Sequence, residues 1–303
     1  MKLLHKYLNG NVTVSIYDNG TKIQEWEDNE IPKPDYPNSM DIKITNKCDL
    51  GCSFCHEKSV PDGEHADLNR LYELIRDLPK GTELALGGGN PLSHPDLVYF
   101  LEKCKDLELI VNMTVNGKHI KKYAEVLDFF MRNKLIYGLG ISINHDFDFS
   151  LLDEFTDTSN IVFHVIAGVQ SIDILDQIKE SKVKKVLVLG YKKVGRGKDY
   201  YDEFVRFKKK IWHDDVKNYL GKLHLSFDNL SIYQLEIKRF LPEKIWNRIY
   251  MGTDGQFTMY VDAVEYKYAI SSTASDKFEI KESIKDIFQN VRSLSGNNPI
   301  DES

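Results

Sequence analysis

Between residues 38 and 220 the sequence predicts an α/β fold of parallel βαβ units, on three observations. Six strand-length runs rich in Val, Ile and Leu recur along this stretch. Segments with apolar residues at helical spacing separate most of them, and that alternation argues for a parallel sheet wrapped by helices. Most of the runs end in glycine or a short polar residue, at the strand ends where α/β barrels keep their functional groups.

Taken in order, residues 11–17 alternate apolar and polar at period two, Asp18-Asn19-Gly20 follows, and a second run covers 21–26. An Asn-Gly between two such runs is a hairpin signal, expected to pack on the edge or mouth of the main domain. Residues 31–37 hold three prolines and read as an extended linker, so 1–37 form an N-terminal unit. Residues 40–45 are the first core strand, and a helix over 67–78 is stopped by Pro79-Lys80-Gly81. The pattern continues with strands at 82–86, 107–114, 137–143, 161–166 and 183–189, and with helices at 95–104, 118–132 and 172–182. Residues 207–211 read as the polar face of a further helix. From 221 the pattern changes to a smaller α+β region running to 303. It holds a strand at 223–227, helices at 230–238 and 242–250, a hairpin of 256–262 with 265–270, a helix at 281–294 and a frayed tail after Ser295.

The formal charge of -6 and pI of 5.9 argue against a general nucleic-acid-binding surface. Four cysteines in 303 residues make no disulfide framework. No stretch approaches the roughly 18 apolar residues of a membrane span. The first ten residues carry no sustained apolar run or cleavage site, so a reducing cytoplasm is the expected location.

Cys48, Cys52 and Cys55 follow the first core strand directly, at C-x3-C-x2-C spacing. A cubane iron–sulfur cluster has four irons, and three thiolates from one loop leave one iron open, which is the mark of a catalytic metal site. Three other readings of the loop stand beside this one. Cys52-Ser-Phe-Cys55-His56 spells the C-x-x-C-H of covalent haem attachment. Cys48, Cys52, Cys55 and His56 form a four-ligand zinc set, although adjacent ligands such as Cys55 and His56 rarely reach one tetrahedral ion. The thiols are also readable as ordinary reduced cysteines. Cys104 lies alone in a helical stretch and reads as a small buried apolar residue.

With Phe54 before the third cysteine, the motif resembles that of the radical S-adenosylmethionine (SAM) enzymes, a likeness that extends over roughly residues 38–195. The resemblance implies a partial (β/α)6 barrel and a [4Fe–4S] cluster held by Cys48, Cys52 and Cys55. It also implies SAM chelated to the open iron and cleaved reductively to a 5′-deoxyadenosyl radical that abstracts hydrogen from a substrate. Gly88-Gly89-Asn90-Pro91 looks like the family's Gly-Gly-Glu-Pro motif for the SAM amino group, with an uncharged Asn for Glu. Asn112-Met-Thr114-Val-Asn116-Gly117 is similar to a turn common at the third strand of the family. Ser142, with Asn144 behind it, is placed for the ribose or carboxylate of SAM; helix capping is the other reading. Residues 165–170, with Gly168 and Gln170, look like a loose adenine-contact stretch, and backbone groups at Gly190 and Tyr191 meet adenine in the family.

His56 beside the cluster is a candidate to tune it, and His94 reads as a residue leading into a helix. His145 and His164 fall on strands near the barrel mouth, where His164 reads equally as a core residue. The run Lys192-Lys193-Val-Gly-Arg196-Gly-Lys198 reads as a clamp for an anionic substrate group or as a solvated loop. Asp228, Asn229, Asp254 and Tyr260 are candidates for substrate contact, and no catalytic acid or base is assigned. The substrate class stays open among small metabolite, nucleotide and peptide, with a flavodoxin or ferredoxin expected as electron donor. The C-terminal region has no cysteine for an auxiliary cluster. A glycyl-radical-enzyme activase and a non-enzymatic iron–sulfur sensor remain alternatives.

Overall fold

A computed structural model describes residues 1–295, and the tail expected to fray after Ser295 lies outside the described residues. Strand β1 (Leu3–Asn9), β2 (Val12–Tyr17) and β3 (Lys22–Glu25) make a three-stranded antiparallel sheet in that order. The expected hairpin is β2–β3; β1 carries only a partial apolar alternation and is an additional strand. This sheet packs at the foot of the barrel rather than at its mouth. Val12, Val14 and Ile16 bury against Ile110 and Phe257, and Lys22 pairs with Glu83. Apolar contact at the strand starts decides that placement, and nothing local in the sequence encodes it.

The core elements follow the predicted alternation. They are β4 (Ser39–Thr45), α1 (Leu68–Ile75), β5 (Glu83–Gly88), α2 (Leu97–Asp106), β6 (Ile110–Asn116), α3 (Gly117–Arg132), β7 (Gly138–Ser142), β8 (Ile161–Ile166), α4 (Ile174–Glu180) and β9 (Lys185–Leu189). The connection from β7 to β8 carries a 3-10 turn at Phe149–Glu154 in place of an α-helix. After β9 come α5 (Gly197–Tyr200), α6 (Glu203–Asp215), β10 (His224–Phe227), α7 (Asn229–Gln234), α8 (Glu243–Ile249), β11 (Thr258–Asp262), β12 (Lys267–Ala269), β13 (Phe278–Glu279) and α9 (Ile284–Ser295). The helix expected over 230–238 breaks after Gln234, because Glu236 takes a left-handed backbone with φ 49° before a 3-10 turn.

The main sheet has ten strands in the order β10-β9-β8-β7-β6-β5-β4-β11-β12-β13. Strands β4 to β9 add one after another in parallel, always on the same side, which is the winding of a (β/α) barrel. The sheet continues past residue 220 at both edges. Strand β10 pairs in parallel with β9, and β11 in parallel with β4. The expected hairpin is β11–β12, so part of the C-terminal region is built into the barrel wall.

Period-two alternation sorts each strand. On β4, Met40, Ile42 and Ile44 are at most 2% exposed and join the core under the helices. Their neighbours Asp41 and Lys43 line the interior. The helices close the outside. For α1 the cap is Asp67, whose carboxylate accepts from the backbone N–H of Asn69 and Arg70, while Leu68, Leu71, Leu74 and Ile75 face inward. Cys104 is fully buried on α2, as its helical position predicts, and burial pushes its thiol up to about 12.

Candidate active site

The barrel encloses a cavity of about 520 Å³ at the carboxyl ends of its strands. That volume lies within the roughly 300–1,000 Å³ usual for small-molecule sites. Cys48, Cys52 and Cys55 line it, on the loop that leaves β4. The loop is anchored at its base. Cys48 N–H donates to Val60 O at 2.8 Å and Cys55 N–H to Cys52 O at 3.2 Å. The thiols lie within electrostatic reach of one another, and burial above all raises Cys48 and Cys52 above the usual thiol range. Among the described residues no three His, Cys, Asp or Glu side chains converge closely enough for one metal ion. A single zinc needs every thiolate at about 2.3 Å from one point. A cubane offers each thiolate a different iron, so three thiols on one loop fit a cluster better than the zinc set with His56, whose Nε2 lies 3.3 Å from Glu57 Oε1. Two buried polar atoms on residues that line the cavity, Ser59 Oγ and His119 Nδ1, lack a partner among the described residues, as expected beside a group that fills the cavity.

The other predicted residues divide. Phe54, Gly88, Gly89, Thr114, Ser142 and Asn144 line the cavity. The hydroxyls of Thr114 and Ser142 face it without a protein partner among the described residues. Gln170 donates to Asn144 Oδ1 at 2.8 Å and accepts from Ile166 N–H at 2.7 Å, which fixes the amide at the end of β7. Beside Gly88, Gly87 has no atom within 4 Å of where a Cβ would stand, so bare backbone faces the cavity. Gly88 and Gly89 instead seal β5 against β4 and the cysteine loop. A Cβ on Gly88 would meet Thr45 O at 2.5 Å, and one on Gly89 would meet Lys47 O at 2.2 Å.

The structure does not bring Asn90, Pro91, Gly168, Gly190 or Tyr191 to the cavity lining. Asn90 caps the 3-10 turn Pro91–Ser93 through its side-chain oxygen. Gly168 and Gly190 allow α6 and α7 to approach, since Cβ atoms there would meet Lys209 Cγ at 2.7 Å and Leu230 Cγ at 2.5 Å. Tyr191 is 1% exposed and donates its hydroxyl to Gly197 O at 2.7 Å.

Among the substrate candidates, Asp228 and Tyr260 line the cavity. Asp228 also caps α7, and Asn229 donates to Asp254 at 2.6 Å. Among the histidines, His94 is 4% exposed and its Nε2 lies 2.9 Å from Ala66 O, while His145 contacts Ser171 N–H near the mouth. His164 faces the lumen, packed over Gly140, and burial lowers it to about 4, so it is neutral at pH 7. Lys192 is the member of the basic run that reaches the cavity. Its Nζ donates to Ser272 Oγ at 2.8 Å and lies 3.4 Å from His56 Nε2.

A buried ionic network beside the cysteine loop is legible only in three dimensions. Lys43 Nζ lies 2.9 Å from Asp262 Oδ2 and 3.1 Å from Glu57 Oε2. Glu57 Oε1 is 3.3 Å from His56 Nε2 and accepts from Tyr260 at 3.3 Å. Burial would depress Lys43, but the two carboxylates outweigh it and hold it above its usual range. Burial would raise Glu57, but His56 and Lys43 keep it far below the usual carboxylate range. Asp41 stands apart on the lumen wall, its side chain open to the cavity, and is raised by the enclosing protein and then by Asp254 and Asp228 against the pull of Lys192. One signal for Asp41 and Lys43 was present, two charges at alternate positions of an apolar strand. Glu57 and Asp262 carry none.

The Radical SAM superfamily model matches residues 42–192, about half of the chain. The chain belongs to this superfamily of enzymes, whose cofactors are a [4Fe–4S] cluster and SAM. Curated relatives include a probable GTP 3′,8-cyclase of Methanococcus maripaludis, 32% identical over 95 residues that make up 29% of this chain and 32% of that protein. One from Archaeoglobus fulgidus is 34% identical over 92 residues, 29% of this chain and 31% of that protein. The chain thus spans about a third of the length of these relatives. Among solved structures, Streptococcus suis SuiB bound to S-adenosylmethionine superposes at TM-score 0.57 and 17% identity, covering 86% of this chain and 69% of that one. SuiB bound to its precursor peptide SuiA gives 0.60 at 16%, covering 86% and 67%. At that identity the likeness is one of fold. No helix among the described residues is long and apolar enough to cross a membrane.

Proposed function

We propose that the protein is a radical SAM enzyme that takes a hydrogen atom from a small polar substrate held in the lumen. The observation that carries this reading is the placement of three half-buried thiols beside bare glycine backbone in one cavity at the carboxyl ends of the strands. When bound, the cluster supplies one electron to SAM, whose cleavage yields the carbon radical that abstracts the hydrogen. The residues of the chain position and enclose. Cys48, Cys52 and Cys55 would hold the cluster. Gly87 to Gly89 leave room for SAM against β5, and Thr114, Ser142 and Asn144 offer hydroxyl and amide groups to its polar parts. Residues 221–295 complete the wall and cover the lumen, since Asp228, Tyr260 and Ser272 come from them and line the same cavity.

The relatives make a purine nucleotide the first substrate to test, with Lys192 as the cation for its phosphate, because Lys43 is committed to Glu57 and Asp262. A flavodoxin or ferredoxin in a reducing cytoplasm would deliver the electron. The test is anaerobic reconstitution with iron and sulfide, followed by dithionite, SAM and GTP. Release of 5′-deoxyadenosine supports the chemistry, and its increase with GTP supports the substrate class. A protein that takes up zinc but no iron–sulfur cluster would refute both.

A further inference from the structure

The loop after β9 makes a contact that the sequence pattern did not suggest. Arg196 N–H donates to Cys55 O at 3.0 Å, its Nε to Cys52 O at 2.9 Å and its Nη2 to Ser59 O at 3.0 Å. Three carbonyls of the cysteine loop therefore end on one residue about 140 positions away. The flanking glycines permit the approach. Gly195 has φ +61°, and a Cβ there would meet His56 O at 2.2 Å and Cys55 O at 2.8 Å. A Cβ on Gly197 would meet Lys192 O at 2.4 Å and Phe54 O at 3.4 Å. The segment is pinned behind by the Tyr191 hydroxyl on Gly197 O and by the edge contact of Phe54 with Tyr200, with ring centroids 5.8 Å apart.

We propose that Arg196 is a positioning residue for the cluster, which holds the cysteine loop in its metal-ready shape and places a fixed positive charge behind the thiolates. The inference rests on the cluster reading above. Held carbonyls keep the backbone that carries the three thiols in one shape before metal arrives, so less order has to be imposed on binding. The charge acts on the redox step. Reduction adds an electron to an anionic centre, and a neighbouring cation favours the reduced form, so the potential is higher with Arg196 than without it. The basic run thus divides its work, with Lys192 turned into the lumen and Arg196 turned onto the loop. This guanidinium is not the clamp for an anionic substrate, because Nε and Nη2 are already bonded to carbonyls.

Wild type, R196K and R196Q are reconstituted anaerobically. Iron retention against a chelator and the midpoint potential by redox titration are measured for each, with circular dichroism to confirm folding. Both variants should lose iron roughly tenfold faster than wild type, the scale of a lost outer-shell contact. The potential should move to more negative values in R196Q and stay near that of wild type in R196K, which keeps the charge but not the fork. Should R196Q give no folded chain, R196K carries the test. Wild-type iron retention in R196K would overturn the carbonyl clasp, and an unchanged potential in R196Q would overturn the role of the charge. If wild type itself takes up no cluster, the cluster reading fails and not this contact alone.

Discussion

The two faces of β4 set the chemistry of the molecule side by side. The outward face, Met40, Ile42 and Ile44, is sealed beneath the helices. The inward face, Asp41 and Lys43, looks into the lumen, and Lys43 meets Glu57 and Asp262 from two distant parts of the chain. One face is stable because water is excluded from matched apolar surface. The other is stable only as a set, because each buried charge depends on its partners. The shell can therefore absorb a loss locally, while the lumen cannot lose one member without stranding another.

Substitutions can break or sharpen that contrast. Cys52→Ala should abolish 5′-deoxyadenosine formation while leaving the melting temperature of the metal-free protein nearly unchanged; a large fall in that temperature would mean the loop is structural. Lys43→Met should cost about 3 kcal/mol in denaturant unfolding, since it takes the nearest cation from the fully buried Asp262, leaving Lys277 at 3.8 Å, and leaves the nearly buried Glu57 with His56 and the Tyr260 hydroxyl. The triple change of Lys43, Glu57 and Asp262 to apolar residues should recover much of that stability but no activity. On the shell side, Leu84→Ala, at 0% exposure, should cost about 2–5 kcal/mol through its cavity, with activity per folded molecule retained.

The smallest expected effect is a pH dependence. His164 sits at about 4 in the fold against 6.5 for the ordinary group, so it favours the neutral form when folded. Its contribution is complete above pH 6.5 and is lost as pH falls from 6.5 through about 4, where the unfolded chain binds the proton more readily. His164→Gln should flatten the acid limb of the stability curve in that window by about 1–3 kcal/mol. An unchanged limb would mean the imidazole is solvated in the lumen.

Much of the barrel was legible because its signals are local. Alternation marks β4 to β9, helical spacing marks α1 to α4, and three cysteines in eight residues need no partner elsewhere to be read. Gly88 and Gly89 were legible as a motif, although the structure gives them the work of closing β5 onto β4. Asn90, Gly168, Gly190 and Tyr191 were chosen by analogy with strand ends, and in the fold they serve capping and close packing. The ionic network and the Arg196 clasp were mostly illegible, since the partners that complete them lie 137 to 219 residues apart, the near pairs Lys43–Glu57 and His56–Glu57 aside.

By itself, then, the order of residues determined which segments become strands, which helices, and where three thiols gather. Period, cap and spacing act over a few residues and are written in the chain. Only the closed barrel decided that β11 lies beside β4, that Asp262 meets Lys43, and that Arg196 turns onto the cysteine loop rather than into the lumen. Those choices depend on burial and on which carbonyls and charges would otherwise be left unpaired, and such costs arise only once distant segments share the same space.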